Sequence, residues 1–441
     1  MNNQNLTILL VGSGAREHAI AKSISKSKRS FKLLAFGSSM NPGITALADT
    51  YTSGNINDPE AVANYGKSNN ASLAVVGPEA PLAAGVADKL WSLGIPVVGP
   101  KMQLAMLETS KQFTRNLMVD YEVPGCPRFK YFSDLKGVTD FLETLQENYV
   151  VKADGLMGGK GVKVAGDHLH SHDEALEYCQ ELCDAGSTFV IEEKCIGEEF
   201  SVFSFCDGTS LKHMPPVQDH KRAYVDDKGP NTGGMGSYSD GDHSLPFIRQ
   251  TDIDEAQQIN QLVVEALKKK TGEGYKGILY GGYMATANEV KVIEFNARFG
   301  DPEVMNLLTL LETDIIDIFE AICNETLDDL EVSFQKLASV CKYVVPNGYP
   351  DNPEKGFGVD LKEVEKPNQL FLGAVDQKED QLVATGSRTA AVVGVATSIE
   401  KAEQEAETLV NQIKGNLFHR PDIGTNQLIE KRVTHMKALR G

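Results

Sequence analysis

Residues 150–164 read VVKADGLMGGKGVKV. A short apolar run carries one lysine, Gly155, Gly158, Gly159 and Gly161 punctuate the middle, and a second alternating run follows. Glycine leaves a strand nothing to pack and enlarges the unfolded ensemble, so glycines gathered between two strands are a poor way to build a sheet. A flexible lid over nucleotide phosphates explains them, with backbone N–H groups and Lys160 near the phosphate oxygens. Lys152, on the strand before the lid, suits the role of a fixed point charge. The spacing is not that of a P-loop, because no GxxxxGK[ST] occurs. A plain hairpin is the competing reading of these residues.

Toward the N-terminus, LTILLVG, FKLLAFG, LAVVG and PVVG within residues 6–100 are short apolar runs ending in Gly or Gly-Pro, separated by amphipathic stretches. This is the pattern of parallel strands in a doubly wound α/β unit, where ligands sit at the carboxyl ends of the strands. Residues 101–135 are expected to be helical before a Pro-rich exit. Toward the C-terminus, residues 253–270 predict an amphipathic helix with Ile253, Ala256, Ile259, Val263 and Leu267 on one face. Strands ILYGGYMAT and VKVIEFN follow, then a helix through about 303–323. From 337 the pattern is β-rich, with a last helix near 399–414 whose Thr397 and Glu400 have capping-box spacing.

Four further clusters carry chemistry. VGSGAREHA (11–19) places Gly12 and Gly14 where a backbone turns tightly toward a helix that offers its positive end to an anion. It is a poor dinucleotide fingerprint, because Glu17 holds the third glycine's place and the second strand ends without an acid. A phosphate-bearing substrate fits better, with a merely structural turn as the alternative; His18 is read either as a ligand contact or as a local hydrogen-bonding residue. VIEEKCIGEEFSV (190–202) reads as one strand whose acids at 192 and 193 point to opposite sides. VIEFNARFGDPE (292–303) sets Glu294 and Asn296 two apart on one face, hard oxygen ligands suited to Mg²⁺, with Arg298 placed to stabilise a transferring phosphoryl group. QDHKRAYVDDKGPNTGGMGSY (218–238) is long, polar and irregular; its dense charge favours substrate binding over disorder.

Bulk properties narrow the field. A chain of 441 residues suggests two to four packed units. A formal charge of -18 argues against non-specific nucleic-acid binding. The seven cysteines are odd in number and form no CxxC pair, which points to reduced thiols. The first residues lack a basic n-region, and no run is long enough to span a membrane. A cytoplasmic location is expected.

With these stretches in view, the chain resembles the ATP-grasp superfamily and, within it, the phosphoribosylamine–glycine ligase family. The resemblance rests on GSGAREHA, VVGPEAPLAAGVAD, LETSKQFT, VKADGLMGGKGV, QDHKR, GPNTGGMGSYS, IEFNARFGDPE and GYP, running from residue 12 to 350, and on RPDIG at 420–424. It departs from the family pattern at Ala15, at 38–43, at Met157-Gly158, at Ser387-Arg388 and at 344–350.

The resemblance implies α/β and α+β multidomain architecture: a Rossmann-like pre-ATP-grasp domain over 1–104, an ATP-grasp domain over 105–330 with a glycine-rich lid subdomain at about 120–200, and a β-rich C-terminal domain over 331–441. It implies ligation of glycine to phosphoribosylamine through glycyl phosphate, with ATP as co-substrate, Mg²⁺ (or Mn²⁺) as cofactor, no nucleic-acid or membrane partner, and a monomer or homodimer. Another ATP-grasp carboxylate–amine ligase and a non-catalytic nucleotide-binding regulator are the alternatives. Residue by residue, Lys111, Lys152 and the lid residues Gly155, Gly158, Gly159, Lys160 and Gly161 would hold phosphates. Glu192, the Glu193–Lys194–Cys195 backbone and Glu199 would bind adenosine. Glu294 and Asn296 would bind the metal. Arg298, Lys152 and Asp219 would be catalytic. Substrate contacts would come from Gly12, Gly14, Arg16, Glu17, His18, Glu79, Asp219, Lys221, Arg222, Asn231, Asp301 and Glu303.

Overall fold

Strands Thr50–Ser53, Phe31–Gly37, Leu6–Val11, Leu73–Val76 and Val97–Val98 lie side by side in that order, and every pair is parallel. The coordinates, a computed structural model, describe residues 6–156 and 161–441. The inner strands are apolar runs because both of their faces are buried. Strand order reverses beside Leu6–Val11, so the turns after Val11 and Val76 meet at the switch point of the sheet. The sequence reading found four of these five strands. Thr50–Ser53 escaped it because it is a largely exposed edge with no apolar alternation.

The middle of the chain forms two antiparallel four-stranded sheets. The lid sheet orders Phe129–Phe132, Phe189–Glu193, Tyr149–Ala153 and Val162–Val164. It has an apolar core of its own with helices Val138–Leu145 and His172–Asp184. The central sheet orders Leu211–His213, Glu198–Asp207, Lys276–Ala285 and Val290–Asn296. Helix Gln250–Thr271 packs on it with all five expected apolar residues buried, and ends at Gly272, whose φ of 77° suits glycine.

Two elements are divided where the sequence reading had them continuous. The run 190–202 splits into Phe189–Glu193 and Glu198–Asp207, which belong to different sheets. Gly197 sits at the crossing, where a Cβ would lie 1.9 Å from the Ala285 carbonyl oxygen. The 303–323 helix is two helices, Glu303–Leu310 and Ile315–Asn324, because Asp314 accepts the Ile316 N–H and starts a new one.

The C-terminal sheet orders Gln218–Asp219, Gly236–Ser239, Ala338–Pro346, Ala390–Ala396 and Leu370–Leu372, with Leu417–Phe418 also paired to Ala338–Pro346. The 330/331 boundary read from sequence therefore lies between strands of one hydrogen-bonded sheet. Helix Ile399–Val410 is capped by Ser398, not Thr397. A further helix, Asn426–Arg440, was not read from the sequence: it buries only Leu428, Ile429 and Met436, too few for a clear apolar stripe. No helix among the described residues is long and apolar enough to cross a membrane.

Candidate active site

Arg298 joins the pieces. It follows strand Val290–Asn296, and its guanidinium meets Glu79 of the N-terminal domain at 3.2 Å and Glu108 at 2.9 Å. Its Nη2 also donates to Asn296 Oδ1 at 3.4 Å. Burial pushes the Glu79 carboxyl up, but Arg298 and Arg16 outweigh it and hold it down to about 2. Glu108 is raised by burial despite Arg298, and it accepts the Ala297 N–H at 2.7 Å. Sequence reasoning missed Glu108, although it lies within the LETSKQFT stretch.

Glu294 and Asn296 do share a face, with Asn296 Nδ2 donating to Glu294 Oε1 at 3.5 Å. Burial alone would neutralise Glu294; the charges of Lys221, Lys152 and Arg298 keep it ionised below the ordinary carboxylate range. Among the described residues no group of three or more His, Cys, Asp or Glu side chains could hold a metal ion. The pair therefore fits a hard divalent cation that takes its remaining oxygens from a polyphosphate, and does not fit an all-protein cage.

Lys152 lies 2.7 Å from Glu192 Oε2 and donates to the Ile293 carbonyl at 3.1 Å. Glu192 is not the open carboxylate expected of an adenosine ligand. Arg115, unnoticed in the sequence, takes both of its oxygens at 2.6 and 3.0 Å and also donates to the Val292 and Ile293 carbonyls. Glu192 thus orients Lys152 and links the lid sheet to the central sheet. Lys111 begins helix Lys111–Asp120 and reaches back to the Gly155 carbonyl at 3.0 Å, while its N–H donates to Asp154. Gly155 has a φ of 99°, and the Gly161 carbonyl accepts the Ala153 N–H at 2.8 Å, so both bracket the lid tip. Gly158, Gly159 and Lys160 lie outside the described residues.

Beyond the lid sheet, the Glu193 and Lys194 N–H groups donate to the Arg128 and Asn148 carbonyls. The Cys195 N–H has no partner among the described residues. Glu193 turns outward to Arg128, as alternation requires, and Lys194 Nζ donates to the Ala165 carbonyl. Glu199 is half-exposed and 3.1 Å from Lys221.

On the other side of Glu294, Asp219 and Lys221 approach to 3.9 Å. Burial first, then Glu199 and Glu294, raise the Asp219 carboxyl against the pull of Lys221. Burial and the negative charge of Asp219 push Glu303 up to about 7. Asp301 is taken by the Tyr343 hydroxyl at 2.6 Å and by Arg388 at 3.2 Å. Arg388, next to the departure at Ser387, also donates to the carbonyls of Gly233 and Gly234 and was missed as a site residue. Asn231 is the register partner of Arg222 in a small hairpin. The Arg222 side chain faces the lid, meeting Asp167 at 3.3 Å and His168 at 3.4 Å, and so is not an open acceptor contact.

At the switch point, Gly12 has a φ of 125° and a Cβ there would lie 2.6 Å from Glu17. Glu17 is buried and accepts the Gly14 N–H at 2.6 Å, so it fills and braces the turn. Arg16 bridges toward the Gly77 carbonyl and Glu79, open to the crevice that Arg298 enters. His18 is no ligand contact: its Nδ1 accepts the Leu372 N–H at 2.8 Å and its ring meets Phe371 edge-on. It locks the first helix to the C-terminal domain.

The sequence matches the phosphoribosylglycinamide synthetase family in all three parts: the N domain over 6–108, the ATP-grasp (A) domain over 109–304 and the C domain over 339–426. It is 50% identical over 436 residues to the phosphoribosylamine–glycine ligase of Methanosarcina barkeri, covering 99% of this chain and 100% of that protein. It is 46% identical to the Methanocella arvoryzae protein of the same name, covering 99% and 100%. Among solved structures, the Thermotoga maritima phosphoribosylamine–glycine ligase superposes with a TM-score of 0.80 at 26% identity, covering 95% of this chain and 100% of that one. With every part of the family matched in order, this chain belongs to the phosphoribosylglycinamide synthetase family.

Proposed function

We propose that the chain ligates glycine to 5-phospho-β-D-ribosylamine at the expense of ATP, giving glycinamide ribonucleotide, ADP and phosphate. The observation that carries the reading is convergence: Lys111, Lys152, Glu294, Asn296 and Arg298 come from three segments of sequence and lie within electrostatic reach of one another, beside Asp219 and Lys221.

The chemical problem is the approach of a carboxylate to a polyanion. Lys111 and Lys152 lie along the nucleotide phosphates, and the Cys195 N–H is left to meet the adenine edge. Glu294 and Asn296 would hold Mg²⁺, which would supply charge neutralisation at the phosphates. A glycine carboxylate oxygen attacks the γ-phosphorus and the bond to ADP breaks, leaving glycyl phosphate. Arg298, fixed by Glu79 and Glu108, faces the new charge. The amine nitrogen of phosphoribosylamine then attacks the acyl carbon, the carbon–oxygen bond to phosphate breaks, and the nitrogen sheds a proton. Glu303, whose carboxyl is pushed up to about 7 by burial and the neighbouring charge of Asp219, accepts that proton in its ionised form. The lid keeps water from the acyl phosphate meanwhile.

The test is ADP formation by the purified protein with Mg²⁺. It should require both glycine and freshly prepared phosphoribosylamine. Turnover with a different acid or amine, and none with this pair, would reassign the substrates within the ATP-grasp ligases. No turnover with any pair would favour a nucleotide-binding regulator.

A further inference from the structure

The segment QDHKR alternates. Asp219 and Lys221 face the crevice, while His220 points behind it, 1% exposed and with both ring nitrogens lacking a hydrogen-bond partner among the described residues. Behind His220 lies a chain of ion pairs that the reaction scheme does not use. Arg420 of the RPDIG turn is fully buried; its guanidinium grips Asp422 through two bonds at 2.9 and 2.6 Å. The remaining nitrogen donates to the Arg222 carbonyl at 3.1 Å and to Asp227 at 2.7 Å. Arg432, from the C-terminal helix, takes the other oxygen of Asp227 at 2.8 Å and ties it to Glu198 at 2.6 Å.

Asp226 and Asp227 are consecutive left-handed residues, with φ of 62° and 56°. An L-residue adopts that conformation at a cost, and two in succession persist only where their surroundings hold them. The Asp226 N–H is held by Asp422 at 3.0 Å and the Asp227 carboxylate by both arginines. The RPDIG turn is itself pinned, since the fully buried Lys342 donates to the Pro421 carbonyl.

We infer that Arg420, acting through the Arg222 carbonyl and Asp227, is a positioning residue for the acceptor half of the reaction. It fixes the backbone immediately after Lys221 and the hairpin that ends in Asn231, so the C-terminal segment sets where the amine substrate is received. Arg420 touches no reacting atom. The inference rests on the ligase reading above, and the experiment separates the two.

The experiment measures KM for phosphoribosylamine, glycine and ATP in the wild type, Arg420→Lys and Arg440→Gln. Arg440 is the control: it ends the helix that carries Arg432 and makes a buried bidentate pair of its own, with Asp252, but does not contact the hairpin. Arg420→Lys keeps the charge and loses the fork that reaches Asp422, Asp227 and the carbonyl together. It should raise the amine KM about tenfold or more while the glycine and ATP values stay within about twofold. Arg440→Gln should lower the melting temperature and leave all three unchanged. Should Arg420→Lys not fold, Asp227→Asn, which leaves the Arg420–Asp422 pair intact, carries the same expectation. An unchanged amine KM, or equal rises in all three constants, would overturn the inference. A wild type inactive with glycine and the amine would instead overturn the ligase reading.

Discussion

Lys152 Nζ and Glu192 Oε2 stand 2.7 Å apart, and Arg115 Nε closes on the other oxygen of that carboxylate at 2.6 Å. One buried anion therefore aims Lys152, the cation proposed to meet phosphate, and neutralises Arg115. Burial pushes Glu192 up, yet Arg115 and Lys152 hold it down to about 2, so it is charged throughout the working range of pH. Glu192→Gln leaves Arg115 buried without a counter-charge, which costs about 3–5 kcal/mol. The expected result is a clearly lowered melting temperature together with a raised KM for ATP. A variant as stable as the wild type would show that the triad contributes nothing to holding the two sheets together.

Arg298 makes its contacts as a fork between Glu79 and Glu108, a geometry that lysine cannot copy. Arg298→Lys should therefore fold normally and lose about 10²-fold or more in kcat. A loss of less than threefold, with melting unchanged, would remove Arg298 from the phosphoryl-transfer step.

Asn296→Ala should leave the fold intact, because its side chain makes only long contacts, at 3.4 and 3.5 Å. Turnover should fall about 10²-fold at ordinary Mg²⁺ and recover in part as the metal concentration is raised. Activity near that of the wild type at low Mg²⁺ would withdraw the metal assignment.

His18 and His220 both lie buried, and burial holds each of them down to about 3 from the ordinary 6.5. The folded chain thus binds fewer protons than the unfolded one. The stability this represents is complete above pH 6.5 and drains away as pH falls from there toward 3. Melting temperatures measured between pH 7 and 5 should fall, and His18→Gln should flatten that slope. An identical slope in the variant would place the acid sensitivity elsewhere.

Glu303 works in the opposite sense. Its folded carboxyl titrates near 7 against 4.5 unfolded, so its contribution is present below 4.5 and lost as pH rises through about 7. Glu303→Gln should remove that loss and melt higher than the wild type at pH 8, while slowing acyl transfer to the amine. Wild-type kinetics in the variant would leave the proton to another acceptor.

Much of this site was legible in the chain because its chemistry is local in sequence. Glu294 and Asn296 share a strand face by the period of two, and Lys152 precedes its glycines directly. What stayed hidden joins residues far apart. Arg115 lies 77 residues from Glu192, and His18 lies 354 from Leu372. No periodicity marks such a pairing, so Glu192 read as a free acid and His18 as an open question. The helix Asn426–Arg440 was missed for a related reason: Arg432 and Arg440 tie it to Glu198 and Asp252, far away in sequence, and few of its residues are fully buried. Helices attached in that way leave little hydrophobic pattern to read.

The shared sheet of strands Gln218–Asp219, Gly236–Ser239 and Ala338–Pro346 has a mechanical consequence. One continuous core runs through the N-terminal sheet, the central sheet and much of the C-terminal domain, whereas the lid sheet has a core to itself. The lid is in effect a separately packed hammer set against a larger anvil, to which the outer part of the C-terminal domain adds a core of its own. On the proposed ligase reading, the nucleotide's phosphates would be carried by the separately packed lid and the amine received on the larger block beneath it.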